Sequence, residues 1–435
     1  AVLISHRWLL WLHPLDWVGV PLPLSLPLCI GLLLAIALLA GALVGAWRWI
    51  VQKLGPERVG TAVLGAALWG VAEVLLAKGP LFWIGLGSAA LPGDPALAGL
   101  AQLVGAGGLA ALQLLLGWGL WRLGTGWRAR RASLWRQGLI WLLAVLLLHL
   151  IGGQRLAAVR SEPSSSLPPR SVLVLQPAIP TRRKFDGDQQ INLLRQLERA
   201  QALAQRLGTD ALLLPEGALP LGQSLPTAAP VEVLSGGFRL EEDQLRSALL
   251  AFPPGAIEPS AALDKHRLVP LGEWIPAAGL IRWAGLSAVG GLTPGLPSRL
   301  LQRPEGPLAV AICYELADGE ALAASARAGA EWLLASANLD PYPAQLQRQF
   351  SALAQLRAIE TARWLVSSAN TGPSLVVDAS GSVLDRLAPG RAATLVATLQ
   401  PRRDLTPYAR WGEAPLLLLA ATGIFISLKT RMRQS

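Results

Sequence analysis

Apolar residues run in long unbroken stretches through the first third of the chain and in short ones after it. Residues 17–47 contain no charged side chain. Pro21, Pro23 and Pro27 crowd the start of that run, so a helix is expected over 28–47. Residues 59–77, 95–121 and 137–154 form three more apolar runs, the first broken only by Glu73. A helix needs about 20 such residues to cross a bilayer. A shorter run, 414–428, follows Tyr408 and Trp411, which suit an interfacial anchor. Buried core helices of a large soluble protein are the competing reading. Five such runs would leave no amphipathic helices to cover them.

The pattern changes after 161–170, whose sequence SEPSSSLPPR reads as a linker. Strands are expected at 172–176, 211–214, 231–234, 308–312, 332–336, 364–368, 374–377 and 394–399. Helices are expected at 189–207, 320–328 and 344–363. Several strands are apolar at nearly every position, as when both faces of a sheet are covered. The expected organisation is a multi-span transmembrane region over 1–160, an α/β domain over 161–413, and a last span with a basic tail over 414–435.

Charge sharpens this division. The net charge is +10, but residues 1–160 hold 12 basic and 4 acidic side chains, whereas 161–413 hold 23 and 24. The excess lies beside the apolar runs, so a nucleic-acid partner is not expected. Lys and Arg mark cytoplasmic loops. Arg48, Lys53 and Arg58 follow the first run; Arg122, Arg128, Arg130, Arg131 and Arg136 follow the third; Lys429, Arg431 and Arg433 follow the last. This places residues 161–413 on the outer face of the membrane. Tryptophan supplies 17 of 26 aromatic residues, a composition suited to a membrane interface. With no initiating Met and an apolar segment already ending near Trp11, a missing front is expected.

Two cysteines and four histidines form no cluster with metal-site spacing, and no cofactor is expected. Three segments that follow or flank strands carry chemistry instead. Glu216 follows the apolar run Leu212-Leu213-Leu214, Lys265 lies in LDKHRLVPLGE, and Cys313 ends LAVAI. Singly, each has a plain explanation: a solvated acid, a polar loop, an inert buried thiol. Together they supply a nucleophile that can form a thioester, a carboxylate that can move its proton, and an ammonium that can stabilise an oxyanion.

This constellation resembles the nitrilase, or carbon–nitrogen hydrolase, superfamily. With the membrane spans, the whole chain resembles the apolipoprotein N-acyltransferases. The residues that carry the resemblance are 172–180 (VLVLQPAIP), Pro215-Glu216, 265–276 (KHRLVPLGEWIP), 312–315 (ICYE) and 358–372 (AIETARWLVSSANTG). Trp69, Glu73 and 82–108 add to it in the membrane part. The resemblance implies an αββα sandwich outside a transmembrane bundle, in the inner membrane with the catalytic domain on the periplasmic side. It implies Glu216 as general base, Lys265 as oxyanion partner and Cys313 as nucleophile, with Glu273, Tyr314 and Glu315 in support. It also implies a phospholipid acyl donor and, as acceptor, the N-terminal diacylglyceryl-cysteine of a lipoprotein. Three departures fall in loops expected to form the lipid entrance. Leu339-Asp340-Pro341-Tyr342-Pro343 replaces an aromatic-glycine segment, Leu271 stands where the family has Phe, and Phe185 where it has Trp. Two alternatives remain at this point: a membrane-tethered amidase or nitrilase with water as acceptor, and a catalytically silent lipoprotein-binding protein.

Overall fold

The computed structural model describes residues 2–15, 20–129, 133–161, 167–183, 186–222, 224–270, 273–274, 291–340 and 342–432. Phe185, Leu271 and Pro341 lie outside them. Four helices are long and apolar enough to cross a membrane: α1 (Leu22–Leu54), α2 (Val59–Lys78), α3 (Ala101–Arg128) and α4 (Leu134–Ser161). Their exposed sides are apolar. On α4, Leu139, Leu142, Leu143, Leu146, Leu147 and Leu150 all face outward, which suits lipid rather than water.

Two expected boundaries are corrected. The first helix starts at Leu22, not at 28. Pro21 is its N-cap and Pro23 lies in the first turn, where a missing amide costs nothing; Pro27 stands inside the helix. The run 95–121 is not one helix. It divides into the turn Pro95–Ala98 and α3, and α3 itself departs from helical geometry at Gly105 (φ 65°). A Cβ at Gly105 would lie 2.2 Å from the Tyr408 ring, so only glycine fits there. The next amide, Ala106 N, donates instead to Glu360 Oε1 at 2.8 Å. Glu73, the one acid of α2, is buried and accepts from Trp69 Nε1 and Leu86 N, each at 2.8 Å.

The second domain contains two six-stranded sheets. The first, in order β12-β1-β2-β3-β4-β5, comprises β1 (Arg170–Gln176), β2 (Ala211–Leu213), β3 (Glu232–Glu241), β4 (Gln244–Phe252), β5 (Ala261–Asp264) and β12 (Ala393–Leu399). The second, in order β11-β10-β9-β8-β7-β6, comprises β6 (Leu300–Leu301), β7 (Leu308–Ile312), β8 (Leu333–Ala337), β9 (Leu365–Ala369), β10 (Leu375–Val377) and β11 (Val383–Arg386). Strand alternation sorts the core. Val172 and Val174 of β1 belong to the buried cluster between the two sheets, while Leu173 and Leu175 cluster with Leu197, Ala200 and Ala204 of α5 (Gly187–Leu207). Helices α6 (Gly319–Arg327) and α7 (Ala344–Thr361) belong to the second sheet's side, giving an αββα sandwich. The strand expected at 231–234 extends to Glu241, and β4, β5, β6 and β11 were not expected. The β3–β4 hairpin carries charged positions at its tip that break the apolar run. A nineteen-residue helix, α8 (Ala414–Met432), returns to pack against α2.

The two parts are fastened together near the strand ends. Phe82, just after α2, stacks between Tyr314 and Phe350, with ring centroids 4.7 and 4.8 Å away. Arg267 donates to the carbonyl of Ala77 near the end of α2 and to Asp318, and Lys78 pairs with Glu320.

Candidate active site

Each predicted residue stands just beyond a strand. Glu216 lies in the turn after β2, Lys265 directly follows β5, and Cys313 directly follows β7. Cys313 has φ 54°, a left-handed conformation that side chains rarely adopt, and it opens the single 3-10 turn Cys313–Ala317. Strain of this kind persists only where the surroundings over-determine it. Here Glu315 does so: one carboxylate oxygen accepts from Ile312 N at 2.8 Å, the other from His266 N at 2.6 Å. Arg299, itself buried, donates to both oxygens of Glu315 and to the carbonyl of Asp264, next to Lys265.

The structure brings the two carboxylates and the lysine into direct contact. Lys265 Nζ donates to Glu216 Oε1 at 2.6 Å and to Glu273 Oε1 at 2.7 Å. The other oxygen of Glu273 accepts from Val269 N, and the other oxygen of Glu216 from Asn338 N at 3.1 Å. Lys265 is 1% exposed, Glu216 9% and Cys313 5%, so these charges interact with little solvent screening. Burial alone would lower the Lys265 pKa, but Glu216 and Glu273 outweigh it and hold the ammonium well above its usual value. Burial, followed by the charge and hydrogen bond of Glu216, pushes the Cys313 thiol well up; Lys265 pulls the other way and loses. Burial also raises Glu273, against the pull of Lys265. Burial and the neighbouring carboxyl groups thus favour the thiol form of Cys313 and the ammonium form of Lys265. Tyr314 also lines the cavity onto which this centre opens, its hydroxyl lies 3.5 Å from that of Tyr342, and its ring stacks on Phe82 beside the Cys313–Ala317 turn.

The centre opens into a cavity of about 580 Å³. Glu216, Lys265, Glu273 and Cys313 lie in its wall; Leu9, Leu12, Leu32, Ile36, Leu81 and Phe82 supply an apolar side from the membrane part. Tyr342 and Asp340, from the segment that departs from the family pattern, also line it. Among the described residues no group of three or more His, Cys, Asp or Glu is placed to hold a metal ion.

Residues 264–408 match the carbon-nitrogen hydrolase family, a stretch that includes Lys265 and Cys313. A protein of Prochlorococcus marinus (strain MIT 9313) named apolipoprotein N-acyltransferase is 52% identical, over 98% of this chain and 87% of its own length. The apolipoprotein N-acyltransferase of Parasynechococcus marenigrum (strain WH8102) is 49% identical over 94% of this chain and 87% of its own. The chain belongs to the apolipoprotein N-acyltransferase family. Among solved structures, Saccharomyces cerevisiae Nit3, of branch 10 of the nitrilase superfamily, is similar at a TM-score of 0.43 and 17% identity, covering 55% of this chain and 93% of Nit3.

Membership makes the chain an acyltransferase and a membrane protein; the water-acceptor and silent alternatives find no support in it. Four residues that touch or position this cluster were not singled out from the sequence: Arg299, Asn338, Phe82 and Gly236. Arg299, just before β6, belongs to no segment that stood out in the sequence. Asn338 holds Glu216 by its backbone amide, while its side chain bonds Thr181 and Asn370 at 2.7 Å each. Phe82 arrives from the membrane part. Gly236 lies in β3, where an added Cβ would stand 2.4 Å from the Glu216 Cα. Its signal was in the sequence: two adjacent glycines inside a strand mark a close backbone approach.

Proposed function

We propose that this chain transfers an acyl group from a membrane phospholipid to the N-terminal diacylglyceryl-cysteine of a lipoprotein, in two steps through Cys313. Glu216 takes the thiol proton as Sγ attacks the ester carbonyl. Lys265 stabilises the negative charge on the carbonyl oxygen. The carbon–oxygen bond breaks, Glu216 returns the proton to the departing alkoxide, and lysophospholipid leaves a thioester on Cys313. The acceptor's free α-amine then attacks that carbonyl. Glu216 takes the amine proton and returns it to the departing sulfur, leaving an amide. Glu273 steadies the lysine, and Glu315 with Arg299 steadies the elbow.

The observation that carries this reading is the position of the thiol. It lines the same cavity as Glu216, Glu273 and Lys265 and as the membrane-segment residues Leu9, Leu12, Leu32 and Ile36. A soluble amide substrate gives no reason for such a wall. The test is mass spectrometry of the enzyme incubated with phospholipid alone: an acyl-sized mass increase on the peptide containing Cys313 is expected, and a persistently bare thiol overturns the reading.

The placement follows from the charged loops. Residues 1–160 and 414–435 form five spans of a bacterial inner membrane, and 161–413 form the periplasmic domain. A protease added outside that membrane cuts the 161–170 linker, while a label at Lys429 reacts only from the cytoplasm. Protection of the linker in intact spheroplasts overturns this placement.

A further inference from the structure

The wall of the cavity contains one cation that the acyl-transfer chemistry leaves over. Among the described residues, its lining has two Lys or Arg side chains, Lys265 and Arg182. Lys265 is committed to Glu216 and Glu273. Arg182 pairs with no carboxylate among the described residues. Its Nη2 donates to the backbone carbonyls of His13 at 3.1 Å and Pro14 at 3.5 Å, and Nε and Nη1 have no partner among the described residues. Those carbonyls belong to the segment that leads from the 3-10 turn Arg7–Leu12 into α1, the helix whose Leu32 and Ile36 line the apolar side. Arg182 therefore sits where the catalytic domain meets the membrane part, on the same cavity as the thiol.

Its backbone is held in place. Thr181, the residue before it, donates N to Asp340 Oδ2 at 2.7 Å, and its hydroxyl accepts from Asn338 Nδ2 at 2.7 Å. Asn338 in turn supplies the amide that holds Glu216. The chain of bonds from Glu216 to the backbone beside Arg182 thus runs through two residues, Asn338 and Thr181.

We infer that Arg182 binds the phosphate of the donor lipid's headgroup and so selects anionic phosphodiesters over uncharged acyl esters. This rests on the acyltransferase reading above. With an acyl chain on Leu9, Leu12, Leu32 and Ile36 and its ester at Cys313, the headgroup phosphate falls elsewhere along the same lining, which includes Arg182. A guanidinium offers a planar set of donors that matches two phosphate oxygens, and it stays charged at any working pH. Among the described residues no carboxylate takes up that charge, which leaves it open to a ligand.

The experiment measures Cys313 thioester formation by mass spectrometry in the full chain, using two donors in detergent micelles: phosphatidylglycerol and p-nitrophenyl palmitate, which lacks phosphate. Arg182→Gln is expected to raise the half-saturating concentration of phosphatidylglycerol about tenfold, the loss typical of one charge-assisted hydrogen bond. Acylation by p-nitrophenyl palmitate is expected to be unchanged, which also reports that the variant is folded. Arg182→Lys, which keeps the charge without the fork, should fall between. Equal use of phosphatidylglycerol by wild type and Arg182→Gln overturns the phosphate contact and leaves the acyltransferase reading standing. So does an equal loss with both donors. Absence of a thioester in the wild type with either donor overturns both.

Discussion

The two sheets contribute unlike halves to the site. The second sheet presents Cys313 through its backbone: a left-handed residue at the end of the fully buried strand β7, capped by Glu315 and clamped by Arg299. The first sheet presents Glu216 and Lys265 through side chains that hold one another by charge, with Glu273 as the third member. In the proposed reaction the sulfur's place is fixed by the backbone turn that Glu315 and Arg299 hold, so its half has one working arrangement. The proton-handling half is a network whose members share the load, so its losses should be graded. A rigid elbow beside an adjustable set of charges suits a reaction in which the sulfur attacks from one position while a proton must travel out and back twice.

This contrast breaks first at the sulfur. Cys313→Ala is expected to remove acyl transfer and the thioester altogether, with insertion and folding unchanged by limited proteolysis. Cys29→Ala, in α1, should leave the thioester yield as in wild type; a loss there would place essential chemistry outside the elbow.

Glu216→Gln should cost about 10²–10⁴-fold in acylation rate, the usual worth of a general base. The same change removes the carboxylate that pushes the thiol up, while Lys265 remains. The thiol pKa should therefore fall, and iodoacetamide labelling of Cys313 at mildly alkaline pH should become faster than in wild type. Slower labelling would show that Glu216 does not set the thiol's acidity. Glu241→Gln, on the exposed end of β3, serves as the control and should leave both rates unchanged.

On the elbow side, Arg299→Met leaves Glu315 buried at 2% exposure without its cation. Breaking a buried pair in this way costs about 3–5 kcal/mol. Thermal unfolding should show a large drop in Tm. An unchanged Tm would mean that the elbow does not depend on the clamp.

The smallest expected effect sharpens the comparison across the sheets. Gly236→Ala puts a methyl against the Glu216 backbone and shifts the base rather than the sulfur. Displacement of a catalytic group by about 1 Å can cost about 10²-fold. Acylation should fall by up to that factor, while iodoacetamide labelling, which needs no base in position, falls less. Equal losses in both would point to general unfolding.

The local pattern of the chain pointed to apolar spans followed by an α/β part, and to three residues that the structure brings to one cavity. A run of about 20 apolar residues has few alternatives to a membrane helix, and a polar residue immediately after a short buried strand lands at the sheet rim whatever the strand order. Glu216 and Cys313 were legible for that reason, while Lys265, whose strand β5 was not expected, and Glu315 were legible through the KHRLVPLGEWIP and ICYE segments. Strand order, the β3–β4 hairpin and the break at Gly105 were not, because they depend on what lies opposite. Gly105 answers to Tyr408, some 300 residues on. Arg299 matters because β6 and β7 bring it to Glu315, Phe82 because α2 ends above Tyr314, and Arg182 because the N-terminal segment crosses the cavity beside it. Chain position determines which chemistry is present and near which strand end. Only packing across long sequence separations decides which of the remaining polar groups meet it, since each such meeting is settled by the shape of two surfaces and not by either sequence alone.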